Sequence, residues 1–314
     1  VNVAPFVFVP KHQEENFDTF VADNVILEGS YHKILCEPSY EENSDAVNPK
    51  TGEHEKTIRS GFPSSWIRDF GTLVGTDGGE KFNLNIKKSW MPNPLQGTGV
   101  DLPTKDFGLK FDGGAFFYLK KKDGTPYILA SENEFINNNS YYIKQEKGKD
   151  IDVKQEVTSR IKTVVGENTE IIYLPKLADS GVDHIDTFVM PLNDDIMIVG
   201  ESLEDDLNFE LLNNVAMLFA EKGFQVHRVP IRRLGKNDTV TYTNILAHQT
   251  IDDKKYIFMP TYEGFESEND IAKTIYSNLG FIVVPIDAST TKDKGGSIHC
   301  ATNTSVTAPF INVI

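Results

Sequence analysis

Pro175, Pro230 and Pro285 stand at one constant interval, and each closes the same order of local patterns. In the first unit, Phe111 to Leu119 and Tyr127 to Ala130 read as strands joined by the turn-rich Lys122-Asp123-Gly124-Thr125. Val153, Val157, Ile161 and Val164 then recur at helical spacing, and Glu170 to Leu174 is a short apolar strand before Pro175. The second unit has Phe188 to Met190 and Ile196 to Val199 around the turn Asn193-Asp194-Asp195. Its helix carries Leu211, Val215, Leu218 and Phe219 on one side, with Gly223 where a left-handed cap is expected, and Phe224 to Val229 runs to Pro230. The third has strands from Val240 to Ala247 and Tyr256 to Met259, a helix around Ile271 to Leu279 capped by Gly280, and Phe281 to Val284 before Pro285.

A hairpin–helix–strand unit repeated at a fixed interval predicts a closed or stacked α/β architecture. No single unit can bury its apolar helix face alone, so neighbours must pack side by side. An open α/β sheet is the alternative that alternation by itself leaves. The N-terminal part is less regular: two polar stretches, Glu37 to Phe62 and Trp90 to Gly108, read as surface or substrate-facing loops. No segment has the composition of a domain linker, so residues 1–314 are expected to form one domain.

Composition narrows the function. The net charge of −15 argues against a nucleic-acid partner, which needs a basic footprint, and mildly favours a cationic ligand. No apolar run reaches the roughly 20 residues that cross a bilayer. The two cysteines, Cys36 and Cys300, form no CxxC pair, so a structural zinc site is not expected; a Cys36–Cys300 disulfide is one reading. No EF-hand spacing suggests calcium. The chain starts at Val1, so its N-terminus reads as processed or trimmed, which leaves cytoplasmic and secreted locations both open. Oligomeric state is not legible.

Three short blocks sit at corresponding edges of these units: Trp66-Ile67-Arg68-Asp69-Phe70-Gly71, Asp183-His184-Ile185-Asp186, and Gly295-Gly296-Ser297-Ile298-His299-Cys300. In a ring of repeats, equivalent edges converge near the axis. The side chains so gathered suit the hydrolysis of a guanidinium group. Its carbon is resonance-stabilised, so a thiolate that divides the reaction into two steps is a better nucleophile than water. The planar cation is best held by bidentate carboxylates, and the leaving amine needs a proton from a group that titrates near neutrality. Cys300 is then the nucleophile, His184 the general acid and later base, and Asp69 and Asp186 the clamp. His184 and Asp186, two positions apart, would share one side of an extended strand. The glycines before Cys300 permit close backbone approach. Taken singly each residue has a plainer reading: a buried cysteine as apolar filler, a satisfied core histidine, an Arg68–Asp69 surface pair, a core Trp66. The joint occurrence carries the argument.

These blocks, with Asp112-Gly113-Gly114, Ser131-Glu132, Asn137-Asn138-Asn139 and Tyr242-Thr243-Asn244, resemble the guanidine-modifying superfamily of pentein fold, in the branch of agmatine deiminases and bacterial peptidylarginine deiminases. The resemblance runs from Trp66 almost to the C-terminus. It implies a pentein α/β-propeller, five ββαβ units around a central active site. It also implies a hydrolase of amidine C–N bonds that needs no metal or cofactor and passes through a covalent thiouronium on Cys300. The same blocks supply Trp66, Arg68, Asp112, Gly113, Gly114, Asn244 and Gly296 as substrate-binding residues, with Trp66 walling the pocket and Asn244 close to the nucleophile. Three departures bear on the substrate: Ser297 stands where agmatine deiminases carry a third glycine, Leu177 to Val182 lacks their acidic, threonine-containing character, and Thr72 replaces a proline. The expected substrate is therefore arginine within a peptide or protein, giving citrulline. Agmatine giving N-carbamoylputrescine is the alternative; amidino transfer and guanidinium binding without turnover are further ones.

Overall fold

The structure is a computed structural model. It describes the backbone of residues 6–10, 32–36, 72–75 and 81–84, and residues 104–300 apart from 122, 236–237, 250–253, 290 and 292–294. Among the described residues the strands form five sheets. The first pairs β1 (Phe6–Pro10) with β2 (His32–Cys36) in parallel. The second orders β3 (Thr72–Gly75), β4 (Lys81–Leu84) and β5 (Thr104–Lys105), with an antiparallel hairpin followed by a parallel strand.

The three units read from the sequence follow the same plan. β6 (Phe116–Lys120) and β7 (Pro126–Ser131) form a hairpin, and β8 (Glu170–Leu174) returns parallel to β7. Helices α1 (Asn138–Lys147) and α2 (Val153–Val165) make that crossover. β9 (Val189–Pro191) and β10 (Ile196–Glu201) precede α3 (Phe209–Glu221) and β11 (Gln225–Arg233), which is parallel to β10. A short β12 (Thr239–Thr241) adds to the outer side of β11. Finally β13 (Leu246–Gln249) and β14 (Lys255–Thr261) precede α4 (Glu266–Asn278) and the parallel β15 (Ile282–Asp287).

The packing explains why the units need one another. Middle strands are buried on both faces, and alternate residues enter different cores. In β7, Ile128 and Ala130 meet Val157, Ile161 and Val165 of α2, whereas Tyr127 and Leu129 meet Leu212, Val215 and Phe219 of α3 in the next unit. In β10, Met197 and Val199 share that second core, and Ile198 enters a third with Ala272 and Tyr276 of α4. The sheets of β7 and β10 are therefore each filled on one side by their own helix and on the other by their neighbour's, whereas the outer face of β14 meets Ile298 through Phe258. Full burial of each such apolar side chain contributes about 2 kcal/mol.

Several local expectations change. The strand expected from Phe111 begins at Phe116, because Asp112-Gly113-Gly114 forms a 3-10 turn over Gly113–Ala115. Pro230 does not end its strand; β11 leaves β10 at Pro230, paired with Glu201, and joins β12 from Ile231 onward. A residue without an N–H suits the point where a strand changes partners. The run Val240 to Ala247 is two strands, β12 and β13, broken at Tyr242–Ile245. The helix expected around Ile271 to Leu279 starts earlier, at Glu266, and buries Ala272 and Tyr276 while Ile271 is exposed. Gly223 and Gly280 take the left-handed conformation expected of helix caps, at φ +90° and +87°. No described helix is long and apolar enough to cross a membrane.

Candidate active site

Four segments from three units converge. His184 is extended, and its carbonyl accepts a hydrogen bond of 2.8 Å from the Thr187 hydroxyl. Asp186 lies in the 3-10 turn Ile185–Thr187, not in a strand. The expectation of a shared strand face is therefore corrected: a tight turn, rather than the strand alternation, brings the two side chains together. Thr243 Oγ1 donates to the Asp186 carbonyl at 3.2 Å, and Thr241 Oγ1 to that of Thr187 at 2.6 Å, which fixes the turn against the β12–β13 break.

The turn Gly113–Ala115 brings Asp112 to the imidazole, with Asp112 Oδ2 3.3 Å from His184 Nε2. Gly113 is buried at the start of that turn. Gly114 has no room for a side chain: a Cβ there would lie 2.6 Å from His184 Nδ1 and 2.9 Å from its Cγ. The imidazole thus packs directly on the peptide backbone.

Cys300 follows the buried stretch Gly295, Gly296, Ser297, Ile298 and His299. Gly295 is left-handed at φ +80°, a conformation that glycine accepts without strain. Cys300 carries a thiol and no disulfide to Cys36. Its Sγ lies 3.4 Å from Asp186 Oδ2, and donor atoms of His184, Asp186 and Cys300 all lie within 4.8 Å of one another. Thiol, imidazole and carboxylate are also types a metal ion could take, and no second such trio occurs among the described residues. Asn244, fully buried in the break between β12 and β13, donates from Nδ2 to Cys300 Sγ at 3.2 Å.

One neighbour escaped the sequence reading. His299 Nδ1 lies 2.7 Å from Asp186 Oδ2, and its ring packs 5.4 Å from that of Phe117. Its only signal was adjacency to Cys300, which in an extended or turn segment says nothing about where the ring points. Below the nucleophile, Tyr262 donates to the Thr241 carbonyl at 3.1 Å. Burial pushes its phenol up to about 12; the hydrogen bond to the Thr241 backbone opposes the shift, and the nearby Cys300 adds to it. Of the residues singled out from the sequence, Cys300, His184, Asp186, Asp112, Gly113, Gly114, Asn244 and Gly296 lie on the converging segments. Trp66, Arg68 and Asp69 lie outside the described residues.

A cysteine, a histidine and an acid drawn together at the edges of repeated ββαβ units call for comparison with known proteins. The model of the Porphyromonas-type peptidyl-arginine deiminases matches residues 21–305. The chain belongs to that family. Among curated proteins none matches in sequence. Solved structures match in fold. An agmatine deiminase of C. jejuni superposes with a TM-score of 0.63 at 17% identity, covering 97% of this chain and 94% of its own. A Porphyromonas gingivalis protein described as an arginine deiminase gives 0.60 at 13%, covering 96% and 94%. The agmatine deiminase of Enterococcus faecalis gives 0.56 at 14%, covering 96% and 93%. The pentein propeller implied by the sequence blocks is the fold of this family member. As its family name states, the family comprises deiminases, hydrolases of amidine C–N bonds.

Proposed function

We propose that this protein hydrolyses the guanidinium of arginine within a peptide or protein, releasing ammonia and leaving citrulline. The observation that carries the chemistry is the convergence of Cys300, His184 and Asp186 donor atoms within 4.8 Å, in a deiminase family and away from bulk water. The family description favours peptidylarginine, whereas the agmatine deiminases among the structural matches keep agmatine as the second reading.

In the first step the Cys300 thiolate adds its electron pair to the guanidinium carbon. The C–N bond to one terminal nitrogen breaks, and that nitrogen takes a proton from the His184 imidazolium and leaves as ammonia. The enzyme then holds a cationic S-linked thiouronium. In the second step neutral His184 takes a proton from water, whose oxygen attacks the same carbon. The C–S bond breaks to restore the thiolate, the carbonyl forms, and the remaining hydroxyl proton passes to solvent, where the ammonia released in the first step takes it up as ammonium. Asp112 is placed to orient and stabilise the imidazolium. Asp186 grips the substrate cation by charge-assisted hydrogen bonds; the family resemblance adds Asp69 as the second clamp and Trp66 and Arg68 as further substrate contacts. The backbone of Gly113, Gly114 and Gly296 lines the approach.

The test is ammonia release measured side by side on agmatine, free arginine, and internal and terminal peptidylarginine. Peptidylarginine is expected to give the highest kcat/KM, and Cys300→Ala to lower kcat by at least about 10⁴-fold. Turnover retained in that variant refutes the mechanism. Preference for agmatine overturns the substrate.

A further inference from the structure

We infer that the loops after β10 and β11 form a docking surface for the polypeptide that flanks the target arginine, one that takes apolar and basic residues; this rests on the proposed action on peptidylarginine. Most large apolar side chains that stay exposed among the described residues lie on helices or on β15. Three do not. Leu203 and Leu207, 54% and 76% exposed, stand on the loop between β10 and α3, and Leu234, 50% exposed, stands between β11 and β12. Both loops are tied to the segment that leads into His184. Asn208 Oδ1 accepts from the Ala178 N–H at 2.6 Å, and Arg233 Nη2 donates to the Asp179 carbonyl at 2.6 Å.

These loops sit on the side of the fold that holds the site. β10 ends beside the turn of Asp186, where the Gly200 N–H donates to the Phe188 carbonyl at 2.8 Å, and β11 runs parallel to β10. Five chain steps separate Asp179 from His184, which puts the two at most about 18 Å apart. An extended peptide covers that span in about five residues at ~3.4 Å each, so a chain whose arginine lies against Cys300 reaches the leucines with its neighbouring residues. Free arginine and agmatine carry no such residues. The leucines are held outward by a built loop. The Asp206 N–H donates to the Leu203 carbonyl at 3.0 Å, Asp206 Oδ1 accepts from the Asn208 N–H at 2.7 Å, and Asn208 is buried. Apolar surface fixed in water in this way gains free energy when a partner covers it. Charge selects the partner. Glu201, Glu204 and Asp205 are exposed on the same loop, and Glu201 to Asn208 contains no lysine or arginine. Arg232 and Arg233 on the adjoining strand engage Glu268 and the Asp179 carbonyl. A chain with basic residues among apolar ones complements this surface, whereas a second copy of this protein, with a net charge of −15, would bring like charge to it.

The test compares two peptides with a single arginine each, one carrying leucine and lysine within about five positions on both sides of it, the other glycine and serine. The leucine–lysine peptide is expected to show a kcat/KM at least about tenfold higher, carried by KM. Leu203→Ser, Leu207→Ser and Leu234→Ser combined should abolish that advantage, and Glu204→Lys with Asp205→Lys should reduce it most at low salt. In both variants kcat on the glycine–serine peptide should stay within about twofold of the parent, and melting temperatures should match, because every substituted side chain is exposed. Equal kcat/KM for the two peptides in the parent, or an advantage that survives in the triple variant, overturns the inference and leaves deimination of peptides standing. A mass by light scattering that falls in the triple variant assigns the surface to a second copy and overturns it as well. Binding of the fluorescein-labelled leucine–lysine peptide to the Cys300→Ala protein, followed by anisotropy, needs no turnover. Weakening by at least about tenfold with the three serines supports the surface even if no peptide is deiminated, and an unchanged affinity overturns it.

Discussion

Gly114→Ala tests how closely the imidazole depends on its backing. Gly114 is not in the left-handed region, so alanine can take its backbone conformation without strain and only space is at issue. The added Cβ would lie 2.6 Å from His184 Nδ1, 2.9 Å from Cγ and 3.1 Å from Asp186 Oδ1, where ordinary contact begins at 3.4 Å. The ring must therefore retreat by about 0.8 Å, the difference between 3.4 and 2.6 Å, away from the position that Asp112 holds. A misplacement of about 1 Å in a reacting group costs about 100-fold, and overpacking of this kind destabilises by about 1–3 kcal/mol. Ammonia release is expected to show kcat reduced about 30- to 100-fold, with a melting temperature a few degrees lower. Gly235→Ala serves as a control, since its Cβ would stand 3.7 Å from the nearest heavy atom, Asp238 Cβ. Activity of Gly114→Ala within about threefold of the parent would show that His184 does not act from this position.

Asp112→Asn keeps shape and removes charge beside His184 Nε2. We expect kcat to fall about 10- to 100-fold with little change in melting temperature, measured by ammonia release and scanning fluorimetry. Alkaline stability should follow the buried phenols. Burial raises Tyr127, Tyr242, Tyr262 and Tyr276, the third to about 12. Above pH ~10 the unfolded chain loses phenolic protons that the native state keeps, so stability is full below pH ~10 and declines as pH rises toward pH ~12. Denaturant midpoints measured from about pH 9 to about pH 11 should fall steadily in the parent and less steeply in Tyr262→Phe; a flat parent profile would contradict the burial of these hydroxyls.

Much of this was legible in the residues, for physical reasons. Strong amphipathic spacing gave α2 and α3, and Gly223 and Gly280 marked caps, because one face must be buried and left-handed turns select glycine. The α1 helix was not expected. Its Asn-rich start and polar body lack an apolar face, and it is held instead by Asn139, whose side chain bonds the backbone of Lys110, Glu134 and Phe135. The company kept by Cys300 and His184 followed from the order of the blocks, yet the turn at Ile185–Thr187 and the orientation of His299 depend on long-range contacts. Likewise Thr241, Thr243 and Asn244 look like strand residues, and only bonds to Asp186, Thr187 and Cys300 reveal why the strand is interrupted there.

The two-sided central strands have a consequence for how this protein can change. Ile128 and Leu129 are neighbours in the chain yet belong to different cores, so a volume change at one is answered by Val157 and at the next by Val215. Neither the β7 nor the β10 blade can be excised, or exchanged for a relative's, without stripping a wall from the one beside it. Transplants in this scaffold will succeed only when a sheet travels with both of the helices that roof it, and insertions belong at the hairpin tips, where neither core is opened.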